Sequence, residues 1–214
     1  MIALFGAGEI AERGIVPIVG GTVVPKDRCD VRRYNDVYAQ MEDLHPDVVV
    51  FTAAVSHPDS VTGGGVRLWR DEVETNLLGG YHVAKAAAGH GATMVLIASL
   101  AGLYGKPNHS GYSASKAGLI SLVQSLAMEG HNAYAISPGR VDTGMRERDY
   151  PGEDPQTRLD PILIGLLVKD ILDGKFTPGD NLVIRMSGHD VLPLEIHRGD
   201  GWAQRLKVGQ PKTW

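Results

Sequence analysis

The chain carries a single cysteine, Cys29, in 214 residues. That excludes an internal disulfide framework and favours a reducing, cytoplasmic setting. No apolar stretch reaches the roughly 18 residues that a membrane span requires. The fairly apolar start, Met1 to Gly21, has no basic leader and is broken by Glu9, Glu12 and Arg13, so it reads as folded chain rather than a signal peptide. Positive charge is not in excess. A formal net charge of -4 gives no general attraction to nucleic acid or to an anionic membrane. The histidines show no H-x-x-x-H spacing and Cys29 has no second thiol beside it, so no metal site is expected.

What is present is ordinary for a soluble globular protein, with 43% hydrophobic and 21% charged residues. The length suits one domain over residues 1–214, and no linker or repeat divides it. Short β-rich runs, Ile2–Phe5, Thr22–Val24, Asp47–Thr52, Thr93–Ala98, Asn132–Ile136 and Asn181–Arg185, alternate with helical stretches. The latter are Glu9–Arg13, Asn35–Leu44, Trp69–Ala88, Tyr112–Glu129 and Pro161–Leu172. Val48-Val49-Val50-Phe51 is apolar without alternation, as in a parallel strand buried on both faces. The alternation predicts an α/β fold of the Rossmann type: a doubly wound parallel sheet of six or seven strands, with helices on both faces. Ligands of such sheets bind beyond the carboxyl ends of the strands, after Phe5, Thr52, Ala98 and Ile136.

Chemistry-bearing residues fall in those places. Directly after the first strand, Gly6-Ala7-Gly8-Glu9-Ile10-Ala11 forms a G-x-G-x-x-A turn into a helix. Such a turn lets backbone approach a pyrophosphate, whose charge rests on the helix N-terminus; alone it is equally a plain glycine turn. Ser99 ends the strand Met94-Val95-Leu96-Ile97-Ala98, Tyr112 opens the next helix, and Lys116 lies one helical turn further on. A lysine ammonium beside a phenol is expected to lower its pKa from about 10, which fits Tyr112 to exchange a proton with a carbonyl or alcohol oxygen. Ser99 would hydrogen-bond the same oxygen as its charge develops. A Tyr-x-x-x-Lys arises easily by accident; one with a serine at the preceding strand end does not.

Tyr112-Ser113-Ala114-Ser115-Lys116-Ala117-Gly118 resembles the catalytic helix start of the short-chain dehydrogenase/reductase family. Ser137-Pro138-Gly139-Arg140-Val141-Asp142-Thr143 resembles its Pro-Gly loop, Thr75-Asn76-Leu77-Leu78-Gly79 its central-helix motif, and Gly179-Asp180-Asn181-Leu182-Val183-Ile184 its last strand. The resemblance implies an enzyme, an NAD(P)-dependent oxidoreductase moving hydride between a nicotinamide and a small carbonyl or alcohol. It makes Tyr112 the proton donor or acceptor and Ser99 the residue positioning the substrate oxygen. Lys116 would lower the Tyr112 pKa and hold the nicotinamide ribose, and Asn76 would anchor a water linking Lys116 to solvent. Cofactor contacts would come from Gly6, Gly8, Glu9 and Ile10, from Ala53 and Ala54, and from Tyr112 and Lys116. Pro138, Gly139, Val141 and Thr143 would add to them, the last two at the carboxamide. Asp30-Val31 resembles the pair that meets the adenine. The second strand ends Val23-Val24-Pro25 with no acidic residue where one usually binds the ribose. Lys26 and Arg28 follow, with Arg32 and Arg33 close behind, and this set favours NADP over NAD, while Asp27 in the same turn stands against it. A homodimer or homotetramer is implied through Trp69–Ala88 and Tyr112–Glu129, with Ala84, Ala86, Ala87 and Ala88 allowing close helix approach.

Three features depart from the family pattern. The glycine loop is one residue short and has Phe5 and Ala11 where threonine and glycine are usual. Phe51-Thr52-Ala53-Ala54 replaces Asn-Asn-Ala-Gly. Only a few residues separate the second strand from Asp30, so a helix and a strand common in the family are expected to be missing. That shortening keeps open a second reading, a nucleotide-sugar epimerase, dehydratase or reductase of the family's extended branch; a third is a cofactor-binding regulator without catalysis. His57, Asn108 and His109 lie near the expected catalytic edge, as solvated loop or substrate contacts. Arg140, Arg146 and Arg148 read equally as an anion site and as exposed charge. Residues 189–214, with Trp202 and Trp214, form a C-terminal extension.

Overall fold

The computed structural model describes residues 1–199 and, as backbone, 203–206. Six parallel strands form the expected sheet: β1 (Ile2–Phe5), β2 (Thr22–Val24), β3 (Val48–Phe51), β4 (Thr93–Ile97), β5 (Ala133–Pro138) and β6 (Asn181–Ile184). A two-stranded hairpin of β7 (Met186–Ser187) and β8 (Asp190–Val191) follows. Then β9 (Leu194–His197) and β10 (Ala203–Leu206) add to β6 antiparallel, giving the order β10-β9-β6-β5-β4-β3-β1-β2. The C-terminal extension is therefore in part sheet; Trp202 and Trp214 lie outside the described residues.

The helices are α1 (Val16–Val19), α2 (Tyr34–Leu44), α3 (Val66–Glu72), α4 (Gly79–Gly89), α5 (Ser110–Met128), α6 (Gly144–Asp149) and α7 (Ile162–Leu172). Two π-helical turns interrupt this regularity. Ile10–Ile15 leads into α1, and Val73–Leu78 joins α3 to α4 in one continuous run where the sequence predicts a single helix. The apolar run of β3 explains its place. Val49 and Phe51 pack with Val83 and Leu119 on one face, while Val50 packs with Ile164 and Val168 on the other, so the strand is buried on both sides.

β1 pairs with β2 on one side and β3 on the other, so the winding reverses there and the cleft opens at its carboxyl end. The sheet stops at β2 on that side, with only α2 between β2 and β3; the expected missing strand and helix are indeed absent from the order. Ala84, Ala86 and Ala87 are buried in the chain's own core, which removes them from the expected subunit contact. Leu78 and Tyr81 on the same run are exposed. Among the described residues no helix is long and apolar enough to cross a membrane.

Candidate active site

The carboxyl ends of β1, β3, β4 and β5 border one cleft of about 490 Å³. Gly6, Gly8, Glu9, Ile10, Lys26, Asp30, Val31, Ala53, Ala54, Tyr112, Lys116, Pro138, Gly139, Val141 and Thr143 line it, together with Ser99, whereas Asn76, His57 and Asn108 do not.

At its floor the glycine loop turns sharply. Gly6 has φ +122°, and a Cβ there would stand 2.3 Å from the Ala53 nitrogen, so only glycine lets β1 and the segment after β3 meet. Thr52 locks that contact by donating from Oγ1 to the Gly6 carbonyl at 2.7 Å. Gly8 faces open space. The backbone at the start of the Ile10–Ile15 turn has the unpaired N–H groups of any helix beginning. The volume and the bare Gly8 backbone fit a dinucleotide. Glu9 is the element that fits less simply. Its Oε2 accepts from the Gly144 nitrogen and its Oε1 from Arg13 at 3.0 Å, while Arg13 reaches Asp142 at 3.1 Å. The acidic side chain thus clasps the glycine loop to the Pro-Gly loop across the mouth.

At the catalytic end, Ser99 caps a short 3-10 turn, Leu100–Gly102, and accepts from the Ala101 nitrogen at 3.1 Å. α5 is seated directly on this turn. A Cβ on Gly102 would lie 2.7 Å from the Lys116 carbonyl carbon and the Ala117 nitrogen. The N-terminus of α5 is seated on α3 in the same way, Gly111 leaving no room for a Cβ beside Glu72. Glu72 is buried, its carboxyl is raised above the ordinary range by that burial, and its Oε1 accepts from the His57 nitrogen at 2.8 Å. Glycines at these contacts let Ser99, Tyr112 and Lys116 converge.

Lys116 is solvent-excluded, donates from Nζ to the Ile97 carbonyl at 2.8 Å and stands 5.6 Å from the centre of the Tyr112 ring. The expected lowering of the Tyr112 pKa is not found. Burial pushes the phenol up to about 12, a hydrogen bond with Ser99 pulling against it, while nearby Asp149, Glu72 and Tyr150 raise it further. Lys116 itself is pushed down to about 7 by burial. Desolvation disfavours charge on both groups, so the phenol stays protonated and the ammonium gives up its proton readily.

The side chain of Asn76 is held within the protein. In the π-helical turn its Oδ1 accepts from the Val55 nitrogen at 2.7 Å, and its Nδ2 donates to the Val55 carbonyl at 2.9 Å and to Ser115 Oγ at 3.2 Å. Both amide hydrogens are spent within the protein, so its side chain has no donor left for a water. Ser115 in turn donates to the Tyr112 carbonyl at 2.7 Å. Asn76 straps the segment after β3 to the catalytic helix.

At the other end, Arg32 is held by Asp30, at 2.9 and 2.7 Å, and by Asp71 at 3.2 Å. Asp71 also meets His57 at 2.9 Å. The Arg32 guanidinium, its charge answered by two carboxylates, holds Asp30 below the usual carboxylate range. Lys26 and Arg32 line the cleft and Arg28 and Arg33 do not; with Arg32 bound by two carboxylates, Lys26 is what the expected basic set leaves to meet a ligand. Sequence reasoning missed Thr52, Glu72 and the walls formed by Lys106, Met145 and Tyr150. It counted His109, which also lines the cleft, as solvated loop or substrate contact.

A parallel sheet with a glycine turn at its switch point, and Ser99, Tyr112 and Lys116 at the same edge, is the arrangement of a Rossmann-type α/β fold. The family model described as short chain dehydrogenase matches residues 23–154, and the chain belongs to that family. It is 38% identical over 129 residues to an uncharacterized short-chain type dehydrogenase/reductase of Sinorhizobium fredii, covering 54% of this chain and 24% of the relative. To cis-4-hydroxycyclohexanecarboxylate dehydrogenase of Sinomonas cyclohexanicum it is 31% identical over 166 residues, covering 63% and 66%. The chain thus spans between a quarter and two thirds of these curated relatives. The fold matches a crystal structure of an actinorhodin polyketide ketoreductase with NADPH at a TM-score of 0.71 and 22% identity, covering 88% of this chain and 97% of that one.

Proposed function

We propose that the protein is an NAD(P)-dependent oxidoreductase that reduces a small carbonyl compound, or oxidises the corresponding alcohol. The observation that carries this reading is that Ser99, Tyr112 and Lys116 line the same cleft as the glycine loop. The same convergence favours an enzyme over a cofactor-binding regulator. The NADPH in the ketoreductase neighbour and the hydroxy-acid substrate in the name of the Sinomonas relative are in keeping with it.

The nicotinamide cofactor, when bound, supplies or takes up the hydride. Gly6, Gly8, Glu9 and Ile10 would hold its pyrophosphate side, Ala53 and Ala54 its middle, and Asp30 and Val31 its adenine. Lys116 would hold the nicotinamide ribose, with Pro138, Gly139, Val141 and Thr143 around the nicotinamide. In reduction Tyr112, kept protonated by burial, donates its proton to the substrate oxygen, and Ser99 hydrogen-bonds that oxygen. Lys116, near neutral in pKa, then returns a proton to the phenolate. Asn76 positions Tyr112 through Ser115. NADP is preferred, because Lys26 stands in the cleft where an acidic residue would repel a 2′-phosphate. The chain works as a single domain and pairs with a second copy through exposed Leu78 and Tyr81.

The test is turnover of a panel of ketones, aldehydes and alcohols, followed at the nicotinamide absorbance, in the wild type and in Tyr112→Phe. Loss of at least about 100-fold in turnover with cofactor binding retained is expected. Near-normal turnover by Tyr112→Phe would remove the mechanism.

A further inference from the structure

The Tyr112 end of the cleft is walled by Lys106, His109, Met145, Arg146 and Tyr150. His109 caps α5 three residues before Tyr112, stacks on the Tyr150 ring at 5.6 Å and places Nε2 3.2 Å from the Tyr150 hydroxyl. Arg146 lies over the other part of this wall, 3.5 Å from the Tyr150 ring centre, and Lys106 Nζ stands 5.9 Å from the same centre. Substrate bound at Tyr112 therefore meets an aromatic wall backed by cations.

Those cations are not equivalent. Arg146 is bound through Nε and Nη2 by Glu153, which also takes Arg140 at 3.4 Å and Arg158 at 3.3 Å. Glu153 is pushed down to about 2, chiefly by Arg146. Arg158 also meets Glu147 at 2.7 Å, and Arg148 meets Asp149 at 2.8 Å. The arginines that the sequence offers as an anion site are thus answered from within the protein. Lys106 is different: half-buried, in the cleft, and with no carboxylate in ion-pair range among the described residues. Burial, then the charges of Arg146 and Arg140, lower its pKa against the pull of Glu153. A cation so placed gains from any anion brought beside it.

We infer that Lys106 is a carboxylate-binding residue of the substrate site, and that the compound turned over at Tyr112 is an oxo acid or its hydroxy acid. The inference rests on the proposed role of Tyr112. A single ammonium suits one carboxylate better than a phosphate dianion, which arginine forks would clasp, and the forks here are occupied. Met145, with the rim of the Tyr150 ring left by Arg146 and His109, would cover the carbon skeleton between the two polar ends.

The test compares oxo acids of graded length, 4-oxopentanoate, 5-oxohexanoate and 3-oxocyclohexanecarboxylate, each with its methyl ester. Wild type and the uncharged Lys106→Met are assayed for kcat/KM, with Lys106→Arg as the charge-retaining control. At least one acid is expected to exceed its ester by about tenfold in the wild type. That ratio should fall to about one in Lys106→Met and return in part in Lys106→Arg. Esters turned over as well as every acid, or a ratio that Lys106→Met leaves in place, would overturn the assignment while the oxidoreductase reading stood. Calorimetric titration of the same compounds with NADPH present separates the remaining cases. Lys106-dependent acid binding with no turnover of any compound overturns the redox reading and keeps the site, and equal binding of acid and ester overturns the site.

Discussion

Lys116 makes a measurable demand on stability. It is 2% exposed, its Nζ donates to one backbone carbonyl, and burial moves its pKa from 10.5 to about 7. The unfolded chain keeps the ordinary value, so between the two pKa values the unfolded state binds more protons than the native state. Stability therefore rises with pH across that window, and the cost of the buried charge is fully present below it. From half-ionised near pH 7 up to about pH 9, the gain integrates to about 2 kcal/mol. Lys116→Met keeps the shape and removes the titration. It also leaves the Ile97 carbonyl without its donor, but that cost is independent of pH and shifts only the offset. Cys29, pushed up to about 11, and Tyr112, at about 12, work in the opposite direction at higher pH, and both cancel in the comparison. Urea denaturation of both proteins at a series of pH values, without cofactor, reads the difference directly. The wild type should gain about 2 kcal/mol on the variant between about pH 7 and pH 9. A difference that stays flat, or falls with pH, would show that Lys116 is not a desolvated ammonium, and its part in proton return would fall with it.

Other outcomes follow from the same geometry. Lys26→Asp should reverse the cofactor preference, read as a larger thermal shift with NADH than with NADPH; an unchanged order would place the 2′-phosphate elsewhere. Gly102→Ala should lower stability by about 1–3 kcal/mol and slow turnover, because the added carbon meets the α5 backbone; a fully active, stable variant would mean that α5 is not seated on the Ser99 turn. Thr52→Val should weaken cofactor binding about tenfold by freeing the Gly6 carbonyl, checked by titration, while unchanged affinity would leave Thr52 without that part. Sedimentation at micromolar concentration should show a species heavier than the 23.0 kDa chain, and Tyr81→Asp should return it to one chain; a wild type at 23.0 kDa would remove the proposed pairing.

The sheet was readable because β1, β3, β4 and β5 are fed by uninterrupted apolar runs between helical periods. Ser99, Tyr112 and Lys116 were readable because a strand end and one helical turn fix their approach. The sign of their pKa shifts was not, since spacing reports proximity and not the loss of water around Tyr112 and Lys116. Thr52, Glu72 and Lys106 escaped because each acts on a partner distant in sequence: Gly6, His57 and the wall around Tyr150. α6 carries Arg146, Glu147, Arg148 and Asp149 and has no apolar stripe to announce it; the Thr143 cap and ion pairs hold it. The alanines of α4 were misjudged because small residues serve a tight internal core as readily as a subunit contact.

The early end of the sheet at β2 shows which parts of this architecture are separable. A strand removed from the middle would leave two neighbours without hydrogen-bonding partners and shift the register of everything beyond it. A strand removed from the rim costs one neighbour one ladder, and β1 still pairs with β2 and β3 in unbroken register. The new rim spans only Thr22–Val24 and begins after Gly20 and Gly21, both at positive φ, so it offers little template for a foreign strand. The fold can therefore be shortened from this side as a row of tiles is shortened, and residues grafted back between Val24 and Asp30 would lengthen the adenosine end without disturbing the Ser99–Tyr112–Lys116 cluster.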